Sequence, residues 1–91
     1  MKFKEHDKVR LLAPGKNDIY PDGTTLARWD GSSVDAPASF PAGTVGFVEL
    51  IIPDDDSRFM VGVFDGDDPD LSLRLGSVAV SRDQVELIDA A

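Results

Sequence analysis

The chain has 91 residues, enough for one small domain with a modest hydrophobic core. It contains no cysteine, so neither disulfides nor thiolate metal sites can stabilise the fold. Its formal net charge of −8 at pH 7 argues against nucleic acid as the main partner, because phosphate contacts need Lys and Arg.

The first predicted strand covers Lys8–Leu12, in which Val9 and Leu11 share one face. Residues 1–6 before it are polar and are expected to be frayed, as are residues 89–91 at the other end. No apolar run is long enough for a membrane helix, and the basic start lacks the apolar stretch of a signal peptide. These features predict a cytoplasmic protein.

Residues 16–42 form a long connection with repeated turn signals. A connection of this length in a small domain is usually functional. Apolar side chains are scattered through it, so we predict an ordered excursion packed on one side of the core. Within it, Pro21-Asp22-Gly23 is expected to close a small β-hairpin between Ile19-Tyr20 and Thr24–Leu26.

The longest apolar run, Phe40–Ile52, predicts the central strand of the domain. Val45 and Val48 fall on opposite faces of this run under strict alternation. A β-bulge at Gly46 is therefore expected to switch the buried face, because glycine tolerates the local twist.

The next predicted strand, Arg58–Phe64, directs Phe59, Val61 and Val63 inward and lies between two acidic turns. The remaining elements follow in chain order: a strand over 71–80 with a kink at Gly76-Ser77, a tight 3₁₀ turn over 81–84 and a closing strand over 85–88.

Four short segments carry a resemblance to a known family: Lys8–Leu12, Pro41–Val48, Phe59–Phe64 and Asp83–Leu87. In the order and the residue types of these segments, the chain resembles the small SH3-like β-barrels, in particular KOW-type barrels. The resemblance implies an all-β fold, namely a five-stranded SH3-like barrel with a long ordered loop after strand 1. It implies little about function, because this fold serves many unrelated roles. KOW-type barrels that contact RNA are usually basic, whereas this chain is acidic.

The acidic turns hold seven aspartates, against one arginine in residues 54–70. They are Asp54, Asp55 and Asp56 in the first turn, and Asp65, Asp67, Asp68 and Asp70 in the second. Carboxylates can bind Ca²⁺ or Mg²⁺, but the second turn lacks the spacing of a calcium loop, and a strand about 20 Å long separates the turns. We therefore predict solvated turns that present negative charge to a partner, with no metal and no cofactor.

The long connection also contains Tyr20, Arg28 and Trp29, and aromatic and Arg side chains are favoured at interaction hot spots. Two interpretations of Trp29 stay open. It fills the open end of the barrel as core, which is the commoner outcome, or it contacts a partner together with Tyr20. The paired aromatic residues with which SH3 domains bind Pro-rich peptides are not evident.

His6 is the only histidine and lies in the segment expected to be frayed, so the sequence offers no Ser/His/Asp or Cys/His catalytic set. We predict a non-enzymatic protein-interaction or accessory module that binds a protein partner through the long loop and the acidic turns. A basic partner surface would be complementary. Two alternatives stay open: an acidic inhibitor that mimics the charge of nucleic acid, and a structural assembly component.

Overall fold

The computed structural model of the chain describes residues 3–52 and 55–91, with the backbone alone at residue 52 and residues 55–57. Within these ranges the fold consists of β-strands and one 3₁₀ turn (Arg82–Gln84), without an α-helix. The strands are β1 (Lys8–Leu11), β2 (Gly15–Lys16), β3 (Thr24–Ala27), β4 (Ser33–Ala36), β5 (Ser39–Phe40), β6 (Val45–Ile52), β7 (Asp55–Phe64), β8 (Arg74–Ser81) and β9 (Val85–Asp89).

The main sheet has five antiparallel strands in the order β8-β7-β6-β1-β9. The predicted all-β class and the hairpin of the two central strands are confirmed. The strands are not closed into a barrel, since no pairing joins β8 to β9 in the described ranges. The long connection covers the free edge of β8 instead. There the Asp18 N–H donates to the Ser77 carbonyl at 2.8 Å, and the Ala79 N–H donates to the Asp18 carboxylate at 3.1 Å.

The inner face of the main sheet carries the hydrophobic core. The predicted alternation is confirmed in β1, where Val9 and Leu11 are buried, and in β7, where Phe59, Val61 and Val63 are buried. The core also includes Phe3, Phe40, Val48, Val78, Val80 and Val85. Each such side chain contributes about 1.5–3 kcal/mol when it is withdrawn from water, and these contributions stabilise a fold that has no disulfide.

The bulge of the central strand β6 lies at Glu49, so its predicted position at Gly46 is wrong. The register of β6 against β7 shifts between Val48 and Leu50, which leaves Glu49 as the extra residue. Gly46 is needed for a different reason, because a Cβ there would lie 2.6 Å from the carbonyl oxygen of Gly62. A glycine in a strand marks either a bulge or a close approach of another backbone, and the sequence does not distinguish the two.

Residues 3–6 are packed onto the sheet, although the sequence predicts a frayed end over residues 1–6; residues 1 and 2 lie outside the described part of the chain. Phe3 is buried, and its ring centroid lies 5.2 Å from that of Phe59. The His6 N–H donates a hydrogen bond to the Val48 carbonyl at 2.7 Å, which extends the contacts of β6 beyond β1. Residues 3–6 are therefore part of the folded domain.

Asp7 connects the two ends of the domain, including the C-terminal residues 89–91 that the sequence predicts to be frayed. Its buried carboxylate accepts hydrogen bonds from the N–H groups of Lys4 at 2.8 Å and Ala91 at 2.9 Å. Burial by itself raises the pKa of Asp7, but these two hydrogen bonds and the charge of Lys4 outweigh it, so the pKa is lowered. The ionised form is therefore the one that the fold stabilises.

The long connection is ordered as predicted, but its hairpin lies further along the chain. Residues 20–23 form the expected turn, closed by a 2.9 Å hydrogen bond from the Gly23 N–H to the Tyr20 carbonyl. The segments on either side of this turn do not pair with each other. Instead β3 pairs with β4 around a second turn at residues 28–32.

Asn17 holds the long connection to the main sheet. Its side chain is fully buried, and its amide group donates to the carbonyl oxygens of Pro37 at 2.9 Å and Leu75 at 3.0 Å. Its oxygen accepts hydrogen bonds from the N–H groups of Ile19 and Tyr20, both at 3.1 Å. One side chain therefore joins the beginning and the end of the connection to β8.

Candidate functional site

The tip of the β3–β4 hairpin and the loop between β7 and β8 enclose a groove of about 600 Å³. We call it the tip groove. Hairpin and loop residues line it: Ala27, Arg28, Trp29, Asp65, Asp70, Leu71, Ser72 and Leu73. Four residues predicted to contact a partner, Arg28, Trp29, Asp65 and Asp70, are thus brought together by two segments that are distant in sequence.

Trp29 is fully exposed at the tip of the hairpin, so its interpretation as a core side chain is wrong. The turn that presents it is fixed by Asp30, whose carboxylate accepts hydrogen bonds from the hydroxyl and the N–H of Ser32, and these bonds lower the pKa of Asp30. Leu71, on the facing loop, is 86% exposed. Single exposed apolar residues are ordinary, whereas a Trp and a Leu on the same groove are typical of a contact surface.

An ion pair between Arg28 and Asp65 joins the hairpin to the loop across the tip groove. The Arg28 Nε lies 2.8 Å from the Asp65 carboxylate, and the other carboxylate oxygen accepts a 2.8 Å hydrogen bond from the Leu73 N–H. The bond from Arg28 is the main cause of a lowered pKa at Asp65, followed by the bond from Leu73. Arg28 and Asp65 therefore shape the groove, while Trp29 and Leu71 offer the apolar surface.

The other residues predicted to contact a partner lie away from the tip groove. Tyr20 is half-buried beside the turn at residues 20–23, and its backbone is held by Asn17. Asp67 and Asp68 are exposed on the same loop as Asp65 but do not line the groove. The side chains of Asp54–Asp56 lie outside the described part of the chain.

A second cavity, of about 500 Å³, lies on the outer face of the main sheet beside the same loop. We call it the outer cleft. It is lined by His6, Phe47, Val48, Glu49, Phe64, Asp68, Pro69, Asp70 and Arg74. Asp70 lines both cavities, so the loop separates one from the other.

Two phenylalanines and one ion pair form the outer cleft. The ring centroids of Phe47 and Phe64 are 6.0 Å apart in an edge-to-face arrangement. The Arg74 guanidinium lies 5.4 Å from the Phe64 centroid, and its Nη1 donates to Glu49 at 2.7 Å. Glu49 is the bulge residue of β6, and its carboxylate lies across Gly62, where any Cβ would collide with it.

Sequence reasoning missed the outer cleft, although one signal was present. Phe47 and Phe64 are out of phase with the core residues beside them, Val48 and Val63, which places both phenyl rings on the outer face. His6 was assigned to a frayed end and instead lines this cleft, with an unusual backbone φ of 74°. Only the folded chain brings these residues to one place.

Within the described ranges, no three His, Asp or Glu side chains are grouped in a way that could hold a metal ion. The same ranges contain no helix with the length and apolar character needed to cross a membrane. Comparison with protein-family models, with curated proteins and with solved structures finds no match to this chain. Function is therefore inferred from the side chains of the two cavities.

Proposed function

We propose that this chain is a non-enzymatic interaction module that binds a protein partner at the tip groove. The observation that carries this proposal is the exposure of Trp29 beside Leu71. A tryptophan buries about 150–250 Å² when a partner covers it, and Trp and Arg are enriched at hot spots. Arg28, the residue before Trp29, is held by its ion pair with Asp65, and this pair fixes the shape of the groove.

We also propose that the fold is an open version of the SH3-like arrangement. The strand order β8-β7-β6-β1-β9 supports this, because the first strand, β1, lies between the central strand β6 and the closing strand β9. The 3₁₀ turn between β8 and β9 and the long connection after β1 support it as well. Such folds leave their loops available for binding while the sheet holds them in place.

The charge around the tip groove favours a partner with a basic surface. Asp30 and Asp70 are exposed there, while the charge of Asp65 is neutralised by Arg28. Complementary charge acts mainly on the rate of association and on partner choice, so apolar contact with Trp29 supplies most of the affinity. A cytoplasmic location remains a prediction of the sequence.

The change Trp29→Ala is expected to weaken partner binding by about 30-fold, because a central aromatic hot spot contributes about 2 kcal/mol. The partner is first captured from native-host lysate with the wild-type chain and then purified, and its affinity for each variant is measured by calorimetry. Since Trp29 is exposed, its replacement is expected to change the free energy of unfolding by less than about 0.5 kcal/mol.

The matched control is Ile88→Ser, which removes an exposed apolar side chain from β9, away from the tip groove. It is expected to leave the affinity unchanged, while Leu71→Ser is expected to weaken it. Equal affinity of the wild-type, Trp29→Ala and Leu71→Ser chains for the purified partner would show that binding occurs elsewhere.

Inhibition by charge mimicry is the second candidate, favoured by the exposed carboxylates of Asp67, Asp68 and Asp70 on one loop. If it holds, the chain displaces DNA or RNA from a target protein at low salt and loses this effect as salt rises. Trp29→Ala would then have little effect, whereas triple replacement of the three aspartates by Asn would abolish displacement.

A further inference from the structure

We propose that the outer cleft is a second binding site, which takes an arginine side chain of a partner protein. This site shares only Asp70 with the tip groove and does not depend on Trp29. The chain's own Arg74 already shows how a guanidinium fits here. It lies over the Phe64 ring and donates to the Glu49 carboxylate, so aromatic face and carboxylate act on the same cation.

The internal ion pair leaves part of the negative charge of the outer cleft uncompensated. Arg74 neutralises Glu49 alone. Asp68 and Asp70 line the same cleft, and one Asp68 oxygen accepts only a local hydrogen bond from the Asp70 N–H at 3.0 Å. In the described part of the chain no ion pair reaches either carboxylate. The cleft is thus anionic as a whole and complementary to one further cation.

The floor of the cleft favours arginine over other cations. Phe47 contacts Phe64 edge-to-face and is half-exposed, so it offers aromatic surface beside the position that Arg74 occupies. A planar guanidinium both stacks on aromatic rings and forks onto a carboxylate, whereas the compact, strongly hydrated lysine ammonium does neither as well. An anionic ligand would be repelled, and a purely apolar ligand would cover the carboxylates of Asp68 and Asp70 without pairing them.

Titration of the ¹⁵N-labelled protein with the peptide acetyl-Gly-Arg-Gly-amide tests the proposal. We expect saturable shifts confined to amides of the outer cleft, in particular those of Phe47, Phe64 and Asp70. The same peptide with Lys in place of Arg is expected to bind at least about threefold more weakly, and the same peptide with Glu is expected not to bind. Equal binding of the Arg and Lys peptides, or shifts spread over the whole acidic surface, would overturn the assignment to arginine.

Variants distinguish specific binding in the outer cleft from nonspecific attraction of a cationic peptide to an acidic protein. Asp68→Asn keeps the acceptor for the Asp70 N–H and removes one charge from the cleft, and Phe47→Leu keeps apolar volume and removes the aromatic face. Each change is expected to weaken binding of the Arg peptide severalfold. Asp22→Asn removes the same charge from the exposed turn at residues 20–23 and is expected to have no effect, as is Trp29→Ala. If Asp22→Asn weakens binding as much as Asp68→Asn, the site does not exist.

Discussion

Replacing Asn17 with alanine is expected to lower the free energy of unfolding by about 4 kcal/mol. The change removes four hydrogen bonds at a fully buried position. It also leaves the N–H groups of Ile19 and Tyr20 and the carbonyls of Pro37 and Leu75 without their partner. An orphaned group costs about 1–3 kcal/mol where it is kept from water, and less at the exposed residues Ile19 and Pro37. The long connection is expected to detach from β8 before the rest of the domain unfolds.

Urea unfolding and hydrogen exchange measure this effect. The midpoint is expected to fall, and the amides of residues 17–20 are expected to exchange faster than those of β6 and β7. Thr25→Ala is the matched control, because it removes an exposed side-chain hydrogen bond, to Asp35 at 3.0 Å, from the same connection. It should change stability by no more than about 0.5 kcal/mol. A comparable small change for Asn17→Ala would mean that the connection is held by other contacts.

Replacing Asp7 with asparagine is expected to lower the free energy of unfolding by about 2 kcal/mol at pH 7, since hydrogen bonds to a charged acceptor are stronger than neutral ones. The Asp7 carboxylate accepts from Lys4 and Ala91 through its two different oxygens. An amide keeps one oxygen and turns an NH₂ group toward the other donor. The loss is measured by urea unfolding of the two proteins.

The same difference should depend on pH in one direction. The pKa of Asp7 is lowered in the folded state, so its contribution is fully present above the unfolded value near 3.9 and is lost as the pH falls through the folded pKa. The gap in stability between wild type and Asp7→Asn should therefore close below about pH 4. The lowered pKa values of Asp30 and Asp65 are common to both proteins and cancel in this difference. A gap that is constant or widens with acid would contradict the assignment.

The strands of the main sheet could be predicted because their signal is local. Alternation identified the buried residues of β1 and β7, and the tight turn before β9 was recognised from residues 81–84. The bulge at Glu49 could not be placed, because a bulge depends on the register between two strands. The burial of Asn17 could not be predicted, since a buried amide and a turn amide look the same in a sequence.

Of the residues that line the tip groove, Arg28, Trp29, Asp65 and Asp70 were among the predicted contact residues, whereas Leu71 was not, and the grouping of these side chains was not predicted. Arg28 and Trp29 attract attention as hot-spot residues anywhere, yet their contact with the loop of Asp65 and Leu71 follows from the hairpin β3–β4, which the sequence placed too early. The exposure of Trp29 is likewise a property of the fold, because the residue type alone does not say whether a tryptophan lies in a core or at a hairpin tip. The outer cleft needed β6, β7 and β8 side by side.

The covering of β8 by the long connection limits how copies of this chain can associate. Three of its edge groups are already engaged, because the Leu75 carbonyl is bonded to Asn17, and the Ser77 carbonyl and the Ala79 N–H are bonded to Asp18. At the opposite edge β9 pairs with β1 alone in the described ranges. Fibre growth by strand addition requires two open sheet edges, and this sheet presents one, at β9. Edge-to-edge pairing through β9 therefore stops at two copies of the chain.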